Sequence, residues 1–205
     1  MSPTSPPSIS LVADTSPSPS SAGPAADAIT DRDLLVRLSR DDVAALDVAL
    51  ARYWNPIVSY LAGLLASGDA AEDIAQETFC RLWDRRAQLR ADGALRGFLY
   101  QVAHNLAVSE QRRMRSRARS LNLVRAEEPR FVAPIDIGGE TIDAALLRAI
   151  EDLSARRREI LLLRSVHGLS YKEIARALGI APQTVGNQFS AALASLRRAL
   201  GHLLP

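Results

Sequence analysis

The sequence predicts an all-α fold: two small helical domains joined by a flexible linker, the C-terminal one carrying a helix-turn-helix. Three observations point there. Apolar residues recur at helical spacing from Thr30 to about Arg119 and again from Ile142 almost to the end. No segment makes a convincing strand. Between the two periodic blocks, residues 121–140 hold Pro129, Pro134 and the pair Gly138–Gly139 without any period.

Each element has its own local warrant. The first 24 residues contain 8 Ser and 6 Pro, too little apolar surface to offset the entropy of ordering, so residues 1–29 are expected to be a disordered tail. The first domain is drawn at 30–119. Thr30 is a plausible N-cap, with Asp31 and Asp33 favourably placed against the helix dipole. Leu34, Leu35 and Leu38, then Val43, Leu46 and Leu50, continue one face through a second start near Asp41. "SGD" at 67–69 is expected to close that hairpin, and "AAEDIAQETFCRLWDRR" to form a third helix. Asp92–Gly93 ends the next segment, and a fourth helix runs from Leu95 to about Arg119.

After the linker, drawn at 120–140, the second domain spans 141–205. There "ARRREILLLRSV" supplies a supporting helix. Ser170 and Glu173 form a capping box, and Leu169 can staple to Ile174. Gly179 stands where a left-handed C-terminal residue belongs, followed by Ile180 as a hydrophobic latch. Pro182 suits the first turn of the next helix, although Ala181 before it is a poor cap.

Composition narrows the function classes. Net charge is only +2, but residues 31–90 carry 8 basic and 10 acidic groups, 91–120 carry 6 and 2, and 141–205 carry 9 and 5. Two separated basic segments suit two contacts with a polyanion. Cys80 is the only cysteine, which excludes a disulfide framework and a Cys-rich zinc site and fits a reducing cytoplasm. No apolar run is long enough to span a bilayer, and the N-terminus lacks the pattern of a secretory signal. With no nucleophile–base pairing, metal-ligand cluster or phosphate loop in view, neither enzyme activity, cofactor nor metal is expected. Trp54 and Trp83 are expected in the core, Cys80 as a small filler and His167 as a turn residue.

Three stretches carry chemistry. On the second helix of the helix-turn-helix, Gln183, Thr184, Asn187, Gln188 and Ser190 are expected to face outward, and amides suit adenine edges in a major groove. Lys172, Arg176, Arg197 and Arg198 could reach phosphates. An ordinary helical hairpin would share these caps, and activators, repressors and polymerase subunits all use the motif. In the third helix Ile74, Thr78, Phe79 and Leu82 point inward, leaving Glu72, Asp73, Gln76, Glu77 and Arg81 outside. The fourth begins with Phe98, Leu99 and Tyr100, passes through His104–Asn105 and ends with five Arg in 112–119, a sequence that suits an extended single strand.

"AEDIAQETFCRLW", "LRGFLYQVAHNLAV" and "LSYKEIARALGIAPQTVGNQFSAALASLRRAL", in that order, resemble the extracytoplasmic-function sigma factors of bacterial RNA polymerase. The resemblance covers about residues 30–119 and 141–200, and the linker is too short for the extra domain of larger sigma factors. It implies that Asp73, Gln76 and Glu77 dock on core RNA polymerase. It implies that Asn105, with His104 beside it, lies near the loop that captures a flipped minus-ten base, while Arg112, Arg113 and Arg115 hold the backbone. The C-terminal helix would enter the minus-thirty-five element. An anti-sigma protein is a further implied partner, alongside promoter DNA. The sequence departs from the family at Phe98, where a Trp is usual. It departs again at Gly186, where a cation usually follows the Thr-Val pair, leaving Asn187 and Gln188 to read bases. Gly186 costs about 1 kcal/mol of helix propensity relative to Ala, which suggests a close approach of backbone to DNA. A helix-turn-helix regulator that binds duplex DNA alone, and a purely protein-binding adaptor, are the competing functions.

Overall fold

The computed structural model describes residues 29–65, 67–89, 95–120 and 142–201; the rest of the expected tail and nearly all of the expected linker lie outside them. Every regular element among the described residues is helical.

Helix α1, Asp31–Leu38, opens with a complete capping box. The Thr30 hydroxyl accepts from the Asp33 N–H, and the Asp33 carboxylate accepts from the Thr30 N–H at 3.1 Å. That closure directs Leu34, Leu35 and Leu38 into the core. Asp41 then adopts a left-handed φ of 63°, a conformation that short polar residues tolerate, and its carboxylate accepts from the Arg86 guanidinium. Helix α2, Val43–Leu65, carries Pro56 in its interior. The proline ring has no N–H for the Arg52 carbonyl, so this turn is held by packing: Tyr53, Ile57, Tyr60 and Leu61 are all buried.

The "SGD" break follows the end of α2, as expected, and the next helix begins within it, two residues earlier than the sequence pattern suggests. Ser67 is the N-cap of α3, Gly68–Asp84, its hydroxyl accepting from the Ala70 N–H at 3.4 Å. Serine satisfies an orphan donor at a helix start, and that preference outweighs the turn signal of the neighbouring Gly. A single 3-10 turn, Arg86–Gln88, follows, and then α4, Leu95–Ser120. The remaining helices are α5, Ile142–Glu151; α6, Ala155–Ser165; α7, Tyr171–Leu178; and α8, Pro182–Leu200.

In the first helical group α2 packs most extensively on α3, and α4 lies against both. Asp31 ties the group together: it accepts from the Tyr53 hydroxyl at 2.5 Å and pairs with Arg52 at 3.2 Å. Burial and the adjoining Asp31 carboxylate push the Tyr53 phenol well up. Ile29, counted with the tail from sequence, packs against this core, and its carbonyl accepts from Arg52. In the second group α5, α6 and α7 all pack on α8. The groups also meet: α4 lies along α7, and one continuous core runs from Leu34, Tyr60 and Leu99 to Ile160, Leu163 and Ile174.

Arg158 locks the second group from within. It is 6% exposed and donates to the carbonyls of Ile150 and Leu153, each at 2.9 Å, and of Glu151. One guanidinium thus satisfies carbonyls at the end of α5 that the helix itself leaves open. Arg158→Met keeps the length of the stem and removes these charged donors. It is expected to lower stability by on the order of 3 kcal/mol, read as a lower urea midpoint; an unchanged midpoint contradicts this role.

Candidate nucleic-acid interface

Helix α3 presents its acids on one side. Ala71, Ala75, Thr78, Phe79 and Leu82 are buried, while Glu72, Asp73, Gln76 and Glu77 are exposed. Glu77 accepts from Arg81 at 2.8 Å, and Asp73 and Gln76 have no such partner among the described residues. Beside this row a groove of about 310 Å³ opens between α2 and α3. Leu46, Leu50, Trp54, Phe79, Cys80 and Trp83 line it, with Gln76 and Asp84 completing the wall. Both tryptophans are half-buried, packed against the core on one side and open to the groove on the other, and Cys80 is exposed rather than a filler. The helical pitch is the reason: Cys80 and Trp83, three residues apart, lie together on one flank of the stripe that Phe79 and Leu82 bury, on the side of the groove. Arg86 covers the Trp83 ring at 4.2 Å.

Helix α4 divides in two. Its first half buries Leu95, Leu99, Tyr100, Ala103 and Ala107. His104 and Asn105 lie within this helix, not in a loop, and they point apart. Asn105 is exposed, whereas His104 turns inward to the Tyr60 hydroxyl and the Glu159 carboxylate, both 3.0 Å from its Nδ1. In the second half Arg112 and Arg113 are exposed and Arg115 is half-buried, with Arg113 paired to Glu110 at 2.8 Å.

The helix-turn-helix forms from its local signals. Ser170 and Glu173 complete their capping box, and Gly179 takes a left-handed φ of 64°. The Ile180 N–H closes the turn onto the Ala175 carbonyl at 3.0 Å. On α8, Gln183, Thr184, Asn187 and Ser190 are exposed, and the Gln183 amide donates to Asn187 at 3.2 Å. Gln188 departs from this outward set. It lies three residues after Val185 and four before Ala192, both buried, and so faces α6, where its oxygen accepts from Arg157 at 3.2 Å. Lys172, Arg176, Arg197 and Arg198 are all exposed. A Cβ at Gly186 would meet only the Tyr171 ring, at 3.6 Å, an ordinary contact. Packing therefore does not demand glycine. Gly186→Ala is expected to stabilise by about 1 kcal/mol, raising the melting temperature by roughly 2–4 °C; a lower melting temperature contradicts this account.

A buried polar seam joins the two helical groups, and sequence patterning did not reveal it. The Glu159 carboxylate accepts from the Tyr60 hydroxyl at 2.8 Å and from Arg156 at 3.3 Å, besides meeting His104. His167, expected as a turn residue, packs its ring against Tyr60 and Tyr100, with centroids 5.9 and 5.5 Å away. Arg96 grips Glu173 with two hydrogen bonds of 3.1 and 3.0 Å. One signal was available: Glu159 interrupts "REILLL", a run buried throughout.

The seam sets its own titration. Burial alone would raise the Glu159 carboxyl, but the His104 hydrogen bond and charge, with Tyr60 and Arg156, outweigh it and hold the group below its ordinary value. Glu173 is likewise held low, burial being outweighed by Arg96 and Ser170. Burial holds His167 down to about 4, so its ring is neutral in the fold. All three folded values lie below their ordinary ones, so the stability they give is present at neutral pH and lost with acid. For His167 the loss begins near its ordinary 6.5 and is complete near 4. The melting temperature is therefore expected to fall across that interval, and His167→Phe to flatten the upper part of the slope. An identical profile in the variant contradicts this assignment.

Among the described residues no group of His, Cys, Asp and Glu is placed to hold a metal, and no helix is long and apolar enough to cross a membrane. Comparison with known proteins places two segments of the chain. Residues 50–118 match the family described as Sigma-70 region 2, and residues 143–196 match Sigma-70, region 4. The chain is 29% identical over 185 residues to the RNA polymerase sigma-H factor of Pseudomonas aeruginosa, covering 85% of this chain and 95% of that protein. It is 28% identical over 171 residues to the ECF RNA polymerase sigma-E factor of Escherichia coli, covering 77% and 87%. Its fold is similar to that of CnrH in complex with the cytosolic domain of CnrY, with a TM-score of 0.60, 22% identity and coverage of 84% and 97%. It is also similar to the Bartonella quintana sigma factor RpoE in complex with the anti-sigma factor NepR, with a TM-score of 0.57, 24% identity and coverage of 75% and 94%.

Proposed function

The chain belongs to the sigma-70 family, as an RNA polymerase sigma factor of the extracytoplasmic-function type, and from that premise we propose that it binds core polymerase and directs it to a two-part promoter. In this reading residues 30–119 form a region 2-like unit, 141–205 a region 4-like unit and 120–140 their connection. The chain works in the cytoplasm as a binding subunit, not an enzyme. An anti-sigma protein is a further partner, as it is for the similar Bartonella quintana factor.

The observation that carries the reading is the exposed row of Asp73, Gln76 and Glu77 beside an apolar groove, in the same chain as a fully capped helix-turn-helix. An acidic, amide-bearing row flanking an apolar groove suits a partner helix with basic and apolar side chains. Asn105 and the exposed Arg112 and Arg113, with Arg115, supply amide and cationic contacts for the minus-ten strand. His104 joins them only when it leaves Glu159. At the minus-thirty-five element Gln183, Thr184, Asn187 and Ser190 face the bases, and Lys172, Arg176, Arg197 and Arg198 the phosphates. Gln188 supports this surface through Arg157 and α6. Two modest DNA contacts on one chain reinforce each other once polymerase sets their spacing.

Cys80 makes the polymerase contact measurable, because this single cysteine is exposed in the groove next to Gln76. Maleimide labelling of Cys80 is expected to slow sharply when core polymerase is added. Ala at Asp73, Gln76 or Glu77 is expected to weaken polymerase binding by about 1–2 kcal/mol each. Transcription of a genomic template library by the reconstituted enzyme then identifies the promoters. Undiminished labelling at saturating polymerase, together with tight duplex binding by the chain alone, would replace this reading with that of a free-standing regulator.

A further inference from the structure

We infer that Arg157 of α6 grips the duplex backbone along one border of the recognition helix α8, and that Gln188 holds it there. This rests on the reading of α8 as the minus-thirty-five contact and adds to that site a cation from outside the helix-turn-helix. Arginines 156, 157 and 158 stand in succession at the start of α6, and two of them are used inside the protein. Arg156 is paired with Glu159 at 3.3 Å, and Arg158 donates to the carbonyls of Ile150 and Leu153. Arg157 is half-buried, yet it meets no carboxylate among the described residues. Its hydrogen bond there runs from Nε to the Gln188 oxygen at 3.2 Å, a neutral partner. An amide orients the guanidinium without answering its charge, and the outer fork of two Nη groups stays open to an oxyanion.

Helical periodicity places this cation. On α8 the exposed Gln183, Asn187, Ser190 and Ala194 form the outward stripe, and Val185 and Ala192 the buried one. Gln188 lies between the two stripes, on the flank that meets α6. Gly186 lies on the opposite flank, where Tyr171 at the start of α7 faces it and the exposed Lys172 follows. A helix about 10–12 Å across fills a major groove about 12 Å wide. Its outward stripe then meets base edges, and its two flanks face the two phosphate strands. The N-terminal half of such a helix reads the bases, yet α8 carries no Lys or Arg before Arg197. Cations at the reading end must therefore come from its neighbours: Lys172 of α7 on one border and Arg157 of α6 on the other. A guanidinium already held at its neck loses little freedom on meeting a phosphate.

The test uses polymerase reconstituted with the full chain, on a promoter identified from the genomic library. Single phosphates of its minus-thirty-five duplex are replaced one at a time by uncharged methylphosphonates. With the wild-type chain, one replacement is expected to weaken binding about tenfold, the worth of one charged hydrogen bond. Arg157→Gln removes the charge and keeps an amide for Gln188, and in this variant that replacement is expected to have no further effect. Lys172→Ala is expected to silence a replacement on the other strand instead. Base preference stays as in the wild type, because a phosphate contact carries no sequence information. Gln188→Ala is expected to lose most of the same sensitivity, and Arg157→Lys to keep part of it, as a charge without the fork. Should Arg157→Gln lower the urea midpoint, Gln188→Ala carries the measurement, since it leaves the charge in place. A phosphate scan identical in Arg157→Gln and wild type overturns the inference, and so does a variant that changes preference at one base. Full sensitivity in Gln188→Ala overturns the positioning role of Gln188. A wild-type enzyme that responds to phosphates on both strands keeps the proposed minus-thirty-five contact whatever Arg157 does; one indifferent to every base and phosphate there removes both.

Discussion

A carboxylate withdrawn from water is costly unless its lone pairs are met, and Glu159 is withdrawn almost completely, in a helix segment buried on every side. Its partners come from three helices: Tyr60 from α2, His104 from α4 and Arg156 from its own α6. That requirement fixes how the C-terminal helices approach the N-terminal ones, because few placements of α6 bring an imidazole and a phenol to one carboxylate. The arrangement of α7 and α8 follows, since both are packed to α6 and to each other. The orientation of the helix-turn-helix thus descends from one buried ion.

A purely apolar seam of the same area would hold as well or better, since ion pairs in a protein interior scarcely recover their desolvation. What the polar seam offers is geometry. The planar, bidentate grip of Arg96 on Glu173 admits only one register between α4 and α7.

Charge is sorted by helix in the same spirit. The exposed face of α3 is acidic, and the far half of α4 is basic, yet the whole chain carries only +2. Neighbouring surfaces of opposite sign on one small body suit two different partners, one rich in cations and one a polyanion. The groove beside α3 adds an apolar anchor to the first. The α8 surface, with its amides and hydroxyls and flanking cations, is a second and separate approach to the polyanion.

The amino-acid sequence alone determined the helices, their caps and the helix-turn-helix. Thr30 with Asp33, Ser170 with Glu173, Gly179 and Pro182 each act within four residues, over which backbone geometry is nearly fixed. It also determined the acidic row of α3, because helical periodicity separates the two sides of an amphipathic helix. The helix start within "SGD" is less legible, since Ser and Gly favour both a stop and a start and only the neighbouring helix chooses. Tertiary structure decided what each buried side lies against. Tyr60 finds Glu159 across 99 residues and Arg96 finds Glu173 across 77, while Gln188 turns toward Arg157 and His167 enters the seam. Periodicity states that a side chain is covered but not by what. That choice belongs to the meeting of whole helix faces, where the cost of an unmatched charge selects one packing among many.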